Sequence, residues 1–383
     1  MARLLSAWRG MRRFRALPRR DRAIVFYAED GASWVHFEPV IRALATTHGR
    51  GVCYLTSSPR DPVLEREDEA VRAFYIGDGA CRTFLLRILE AGVVVMTMPD
   101  LETFHIKRSK YPVHYIYLHH SIVSTHMIYR RGAFDGFDTV FCVGPHHLAE
   151  IRETEALYGL KPKLLVEHGY GRLDSIIAAA KASPTPEEGS GRRILIAPSW
   201  GPHGLLESCG ARLVEVLLAA GHRVTVRPHP MTRRHSPKLL DSLDARFASH
   251  PRFAYEEDLA SQDSLHASHL MISDWSGAAL EYAFGLKRPV LFVDVPRKVN
   301  NPEYTRLSAE PIEAFIREEI GAVITPDRLD QTPRLVDALC AQAGAFAERT
   351  AALRSRWIYN LGKSGEVGAA YIAAMPEAAQ GNG

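Results

Sequence analysis

The chain has 383 residues, 46% of them hydrophobic and 24% charged, so it can bury a large core and form two domains of ordinary size. The formal net charge of +3 is too small to predict nucleic-acid binding. No apolar run approaches the length of a transmembrane helix, and the N-terminus lacks the apolar core of a signal peptide, which predicts a cytoplasmic protein. The five cysteines are scattered without close pairs, which argues against a zinc site or a disulfide framework.

The first 22 residues carry most of the charge asymmetry, because eight arginines stand there against a single acid, Asp21. Leu4, Trp8 and Met11 fall on one face of a helical wheel. A basic helix with such a face can lie in the surface of an anionic membrane. The alternative interpretation of this segment is a disordered basic tail.

Beyond residue 22 short apolar runs alternate with helical patterns, which predicts doubly wound parallel sheets. The first predicted domain covers residues 23–182. Its predicted strands lie at 23–27, 52–56, 71–76, 93–97, 113–117, 139–143 and 163–166. Residues 183–192 are polar and rich in proline and glycine, which is typical of a domain linker.

A second α/β series predicts another domain over residues 193–343. Its predicted strands begin at residues 193, 223, 253, 270 and 289. We expect the two Rossmann-like domains to face each other across a cleft. The remaining segment, residues 344–383, is helical in pattern, and we expect it to cross back and brace the first domain.

The second domain is organised around residues 270–294. An apolar run stops at Ser273-Asp274-Trp275-Ser276-Gly277, a helix follows, and a buried strand comes next. The free backbone N–H groups and the positive dipole end at Ser276 and Gly277 form an anion site at the carboxyl end of a strand. We interpret this turn as the site that holds a nucleotide diphosphate.

Five segments in order resemble the CDP-glycerol glycerophosphotransferases, the teichoic-acid primases and polymerases. They are GYGRLD (169–174), ILIAPSW (194–200), VRPHP (226–230), LASQDSLHASHLMISDWSGAALEYAF (259–284) and RPVLFVD (288–294). In that family the first four typically read G-Y-P-R-x-D, I-L-Y-A-P-T-W, R-x-H-P and I-T-D-Y-S-S. The resemblance implies the two-domain GT-B fold, a donor nucleotide bound mainly by the second domain, and a peripheral position on the cytoplasmic face of the cell membrane.

This chain departs from the family pattern at four places. Gly171 replaces the usual proline, Trp275 replaces a tyrosine, and Gly277 replaces the second serine of the pair. Leu118-His119-His120 stands where members often show Trp-His-Gly. Residues 23–112 carry no segment of the resemblance, so donor chemistry is better supported than the identity of the acceptor.

Several residues of the second half are candidates for donor binding. His229, flanked by prolines that fix its backbone, can donate to a phosphate oxygen, and the resemblance makes it a functional residue. Arg227 shares its face of the strand and either contacts phosphate or forms an ion pair in the cleft wall. Ser276 and Gly277 contact the diphosphate or simply cap the helix. By analogy with related GT-B enzymes Glu281 contacts the ribose, unless it is a solvated helical glutamate. Asp274 either orients the loop, which is the preferred role, or coordinates a cation. Arg172 of GYGRLD, in the first predicted domain, is carried over as a substrate-binding residue.

The acceptor hydroxyl needs a general base, and a neutral imidazole suits that role near pH 7. The resemblance favours His119, and His120 is the second choice because adjacent residues leaving a strand point to opposite sides. His36 is a weaker candidate for acceptor contact. His146 and His147 have no carboxylate or cysteine partner at metal-ligand spacing, so no metal site is expected there. Positioning and electrostatics carry most of a phosphoryl-type transfer, so no cofactor is expected to be required.

The predicted function is transfer of glycerol phosphate, or a related polyol phosphate, from CDP-glycerol to a hydroxyl of a membrane-linked glycan or glycerophosphate polymer, with release of CMP. The expected partners are the CDP-linked donor, the lipid-linked acceptor and an anionic membrane surface, and nucleic acid is not expected. One alternative is a GT-B glycosyltransferase or sugar epimerase that uses a UDP-sugar. Another is an inactive nucleotide-binding scaffold in envelope assembly.

Overall fold

Two parallel sheets organise the chain, each in its own compact unit of the computed structural model, which describes residues 2–182, 191–257 and 261–375. Of these residues, the first unit takes 2–121, 129–174 and 357–375. The second takes 122–128, 175–182, 191–257 and 261–356.

The first sheet has the strand order β3-β2-β1-β4-β5-β6-β7, and every pair in it is parallel. Its strands are β1 (Ile24–Ala28), β2 (Val52–Thr56), β3 (Val71–Tyr75), β4 (Val93–Met96), β5 (His114–Leu118), β6 (Thr139–Cys142) and β7 (Leu164–Glu167). This is the Rossmann order with a seventh strand added at one edge.

The second sheet has the order β10-β9-β8-β11-β12-β13 and is also entirely parallel. Its strands are β8 (Arg193–Ile196), β9 (Arg223–Val226), β10 (Phe253–Tyr255), β11 (Leu270–Ser273), β12 (Val290–Val293) and β13 (Gly321–Ile324). Two Rossmann-like sheets were predicted, and the structure confirms them. The strand β13 was not predicted, because it begins with Gly321 and Ala322, two residue types that are depleted in strands.

Fifteen α-helices are assigned in the described residues. They are α1 (Ala2–Ala16), α2 (Trp34–His48), α3 (Gly79–Arg87), α4 (Pro145–Tyr158), α5 (Gly171–Ala182), α6 (Ala211–Ala219), α7 (Pro230–His235), α8 (Pro237–Phe247), α9 (Asp263–Ala267), α10 (Gly277–Leu286), α11 (Ile312–Phe315), α12 (Arg317–Ile320), α13 (Thr332–Ala341), α14 (Ala343–Trp357) and α15 (Ser364–Ala373). No helix of this part of the chain is both long and apolar enough to span a membrane.

The central strands are buried along their whole length, as in β1, β2, β4 and β12. Helices cover both faces of a doubly wound sheet, so these strands read as continuous apolar runs and not as alternating ones. In the first unit α15 packs against α2 at very short range. A Cβ atom at Gly365 would lie 2.5 Å from the carbonyl oxygen of Pro39, so only glycine allows this approach.

The basic N-terminal segment is a helix, α1, that packs on β3 within the first unit. Its inner face contains Ala7, Met11 and Phe14, and the Phe14 ring meets Phe74 edge-on at 5.7 Å. Leu4 and Trp8 are more than half exposed. Met11 was predicted to share their face. It lies at the border of that face, however, and it is buried where the helix packs on β3.

The unit boundaries follow the three-dimensional contacts and cut across the predicted segments. Residues 122–128, inside the predicted first domain, belong to the second unit, where the Ser124 hydroxyl donates to buried Glu313 at 2.7 Å. Helix α15 belongs to the first unit. Most of the predicted linker, residues 183–190, lies outside the described residues.

Candidate functional site

The donor-side candidates lie at the carboxyl edge of the second sheet, next to the point where the strand order reverses between β8 and β11. Open α/β sheets bind ligands at this position. Asp274, which follows β11, is 1% exposed. Its carboxylate accepts backbone hydrogen bonds from Ser199 at 2.6 Å and from Leu205 at 3.1 Å. Asp274 therefore fixes the loop after β8.

The turn after β11 ends in a capped helix. The Ser276 hydroxyl accepts from the Ala278 backbone N–H at 3.3 Å and caps α10, and Ser276 and Gly277 are both partly exposed. Trp275 is 6% exposed and donates from Nε1 to the Val295 carbonyl at 2.9 Å. The turn therefore presents the helix N-terminus to solvent while the tryptophan anchors it from below.

His229 caps the short helix that follows β9. Its Nδ1 accepts from the backbone N–H of Met231 at 3.1 Å, so Nδ1 carries a lone pair. In the neutral ring the proton then resides on Nε2, which makes Nε2 a hydrogen-bond donor. A phosphate oxygen needs such a donor, and His229 is partly exposed.

The side chains of Arg227 and Glu281 are both buried. Arg227 is 5% exposed and donates to the Ser261 carbonyl at 2.8 Å and to the Ser264 hydroxyl at 3.3 Å. The guanidinium thus holds the segment that leads into α9. Glu281 lies one turn into α10 and is 8% exposed, so it is not the solvated glutamate of the alternative interpretation.

Two residues that were not predicted as site residues join this group. The ring of Trp200, in the loop fixed by Asp274, lies 6.2 Å from the ring of His229. The Nζ atom of Lys298 lies 4.2 Å from the centre of the same indole. Burial lowers the pKa of Lys298 to about 8, and the charges of Asp274 and Glu207 partly oppose that shift. Lys298 follows β12 in a polar loop that has no motif, so the sequence offered no signal for it.

In the first unit the two adjacent histidines after β5 have different environments. His119 is 1% exposed, and its ring lies 4.0 Å from that of His147. Neither ring nitrogen of His119 has a hydrogen-bond partner among the described residues. Burial lowers the pKa of His119 well below its ordinary value, and the positive forms of His147 and His120 lower it further. His119 is therefore a neutral, enclosed ring.

His120 belongs to a group with His36 and Arg172, which like it are partly exposed, and with Tyr170, which is buried. The rings of His36 and His120 lie 6.1 Å apart, and the His36 ring lies 5.8 Å from that of Tyr170. The Tyr170 hydroxyl donates to the backbone carbonyl of His120 at 2.8 Å. Burial lowers the pKa of His36 well below its ordinary value, and His120 and Arg172 add to the shift. The structure thus brings three predicted residues together and sets His119 apart from them.

The GYGRLD segment also has a structural role in the first unit. Asp174 accepts backbone hydrogen bonds from Gly362 at 2.6 Å and from Ser364 at 3.2 Å, which ties α5 to the start of α15. A Cβ atom at Gly171 would lie 2.9 Å from Cγ of Pro39, which accounts for glycine at this position. Among the described residues no group of three or more histidine, cysteine or acidic side chains is placed to hold a metal ion.

A scan against protein-family models gives no match, and no curated protein matches the sequence. Solved structures do match over nearly the whole chain. The wall teichoic acid polymerase TagF, in an H444N variant soaked with CDPG, is 13% identical with a TM-score of 0.57, covering 96% of this chain and 93% of that one.

Two UDP-N-acetylglucosamine 2-epimerases are equally similar. The putative enzyme of Listeria monocytogenes is 14% identical with a TM-score of 0.56, covering 93% of this chain and 96% of that one. The enzyme of Neisseria meningitidis, bound to UDP-GlcNAc, is 12% identical with a TM-score of 0.56, covering 90% and 97%. The two parallel Rossmann-like sheets and these similarities show that the chain has the GT-B fold.

Proposed function

We propose that this protein is a GT-B transferase that moves glycerol phosphate, or a related polyol phosphate, from a CDP-linked donor to a hydroxyl of a membrane-linked glycan or glycerophosphate polymer. The observation that carries the proposal is the state of His229. Its Nδ1 accepts from the backbone of α7, so the neutral ring carries its proton on Nε2, and an N–H is the kind of donor that a phosphate oxygen needs. The His229 motif is also one of the segments that resemble the glycerophosphotransferases.

In the proposed reaction the acceptor oxygen attacks the β-phosphorus of the donor. A bond forms between that oxygen and phosphorus, the bond between phosphorus and the oxygen of CMP breaks, and the acceptor proton passes to a base. Charge builds up on the bridging and terminal oxygens of the diphosphate. The N-terminus of α10 at Ser276 and Gly277 and the Nε2–H of His229 stabilise that charge, which is the main catalytic requirement of phosphoryl transfer.

For the base we propose His120. It is partly exposed, whereas His119 is enclosed, and a base must come within hydrogen-bond reach of its proton. The His120 Nδ1 lies 3.2 Å from the Tyr117 hydroxyl. When Nδ1–H donates to the tyrosine oxygen, the lone pair is on Nε2, which is the atom that would accept the proton. The role of His119 that the resemblance implies stays a prediction.

A UDP-sugar enzyme is the second candidate, and it is favoured by the epimerase structures, which match as well as TagF does. The same α10 turn and buried Glu281 would serve a UDP-sugar equally well. A third candidate is an inactive scaffold that binds a nucleotide without turnover. The three candidates differ in the nucleobase of the donor that the protein binds and in the group, if any, that leaves the donor.

Thermal stabilisation by a panel of nucleotides tests the donor class, since a bound ligand raises the melting temperature by mass action. The panel contains CDP-glycerol, CDP-ribitol, CMP, UDP-N-acetylglucosamine and UDP. We expect shifts with the cytidine compounds and none with the uridine compounds at the same concentration. Shifts confined to the uridine compounds would replace the proposal with sugar chemistry. Stabilisation by CDP-glycerol without CMP release from any lipid-linked acceptor would favour the scaffold.

We also propose that α1 attaches the protein to an anionic membrane surface. Leu4, Leu5 and Trp8 are 59%, 58% and 53% exposed, while the opposite face of the helix is packed on β3. Exposed arginines flank these apolar side chains along the helix, at positions 3, 9, 12, 13 and 15. An apolar patch within a basic surface is suited to the boundary between anionic headgroups and acyl chains.

Sedimentation with vesicles tests this surface. We expect wild-type protein to bind phosphatidylglycerol vesicles and not phosphatidylcholine vesicles. The Arg9→Gln/Arg12→Gln variant should bind the anionic vesicles about thirtyfold less, at about 1 kcal/mol for each arginine near the surface. Arg60→Gln/Arg334→Gln removes two exposed arginines elsewhere and should bind like wild type. Equal loss in both variants would show that only net charge matters and would refute a role for α1.

A further inference from the structure

Lys298 occupies an unusual position in the second unit. It is only partly exposed, and its Nζ lies 4.2 Å from the centre of the Trp200 ring. The indole face is the negative part of the ring quadrupole, so the contact orients the ammonium group without neutralising it. His229 lies against the same indole, with its ring centre 6.2 Å away. The Trp200 ring therefore contacts both a cation, Lys298, and His229, the residue predicted to donate a hydrogen bond to phosphate.

The charge of Lys298 has no close counterion in the part of the chain that the structure describes. Among the described residues no carboxylate oxygen lies within 4.0 Å of Nζ, although Asp274 and Glu207 act on it from further away. The Asp274 carboxylate is already used by the backbone N–H groups of Ser199 and Leu205. A partly buried ammonium without a paired carboxylate carries a desolvation cost that an anionic ligand would remove.

We propose that Lys298 binds the donor phosphates and that Trp200 holds it in position between β8 and the end of β12. The inference rests on the proposed use of a nucleotide diphosphate but not on whether its nucleobase is cytosine or uracil. Lys298 would contribute a full positive charge, while α10 and His229 contribute dipoles and a neutral donor. Such a cation stabilises the diphosphate in the bound state and the leaving CMP during transfer.

The test is a Lys298→Met variant of the full chain, titrated by calorimetry with CDP, UDP and cytidine. We expect the dissociation constant of the nucleoside diphosphate to rise at least tenfold, because a hydrogen bond to a charged group is lost. Cytidine, which has no phosphate, should bind both proteins equally. Lys287→Met is the matched control, since Lys287 is an exposed lysine at the opposite end of α10.

A pH series separates direct binding from a structural role. Between pH 7.5 and 9 the phosphates have already lost their protons, whereas a lysine with a pKa of about 8 loses its charge as the pH rises. Asp274 and Glu207 are the acids of the same unit whose charges act on Lys298. The rings of His229 and His235 lie against the same indole as Lys298. CDP affinity of the wild type should therefore fall with rising pH, stay flat in Lys298→Met, and be retained at high pH in Lys298→Arg.

The outcomes for Lys298 and for the proposed function are distinct. Binding of UDP in place of CDP would refute the CDP chemistry and leave the same test of Lys298 to be read on UDP. Unchanged diphosphate affinity in a Lys298→Met protein that melts at the wild-type temperature would overturn the inference and leave the proposed function intact. Failure of wild-type protein to bind either diphosphate would overturn both.

Discussion

Replacing His229 with asparagine should lower the rate of CMP release from CDP-glycerol by about a hundredfold to a thousandfold. The reason is that one hydrogen-bond donor to the charge that develops in the transition state is lost. Asparagine keeps an oxygen that can accept from the Met231 N–H, so the cap of α7 is preserved while the Nε2–H is lost. His229→Ala should lose the same activity and also about 1 kcal/mol of stability, since alanine removes the cap. The measurement is the initial rate with membrane-linked acceptor, with the melting temperature of each variant beside it.

His250 provides a matched control for this substitution. Its Nδ1 accepts from the backbone N–H of Arg252 at 3.2 Å, which is the same local bond that His229 makes to the residue two positions on. His250 precedes β10 and therefore lies at the amino edge of the sheet, away from the ligand edge. His250→Asn should leave CMP release unchanged. Near-normal release in a folded His229→Asn protein would refute the role of His229.

The sheets could be predicted from the sequence because a buried parallel strand leaves a strong local pattern. Runs such as 93–96 and 289–293 consist of apolar residues without alternation, and each forms a strand of a parallel sheet. Short polar loops between such runs also placed Ser276 and His229 at the carboxyl edge of the second sheet. The loop that follows a parallel strand lies at the carboxyl edge of the sheet whatever its sequence, so these two positions did not depend on the resemblance.

The departures from the family pattern have physical reasons that only the packing shows. Trp275 is held by a hydrogen bond to Val295 and by the Arg317 guanidinium, 4.2 Å from its ring, so it serves the core. Gly171 meets Pro39 of another helix. Lys298 is the opposite case, because a single lysine in a polar loop looks like any solvated charge until Trp200 is seen beneath it. Contacts between residues far apart in sequence leave no local pattern.

The histidine pair after β5 shows the same limit at the scale of one residue. Alternation along a strand predicts that His119 and His120 point to opposite sides, but it does not say which side is enclosed. The answer depends on residues that come later in the chain, because the ring of His147 in α4 packs against His119 at a tilt, with the ring centres 4.0 Å apart. Burial therefore reverses the order of preference that the resemblance suggested for the proposed base.

His120→Asn should reduce transfer by about a hundredfold to ten-thousandfold, which is the usual contribution of a general base, with little change in CDP-glycerol affinity. His119→Asn should retain transfer within a few-fold and lose stability instead, since it puts an amide into a closed cluster of rings. His119→Phe keeps an aromatic ring in that cluster and provides a second test if the asparagine variant does not fold.

The two variants separate access from chemistry. Asparagine at either position removes the titrating group, so the variant that stops transfer while still binding CDP-glycerol identifies the base. Loss of transfer in folded His119→Asn and His119→Phe, with normal rates in His120→Asn, would mean that the enclosed ring becomes reachable when substrates bind. His119 would then be the base, and the neutral state that burial imposes on it would keep it ready to accept the acceptor proton at pH 7.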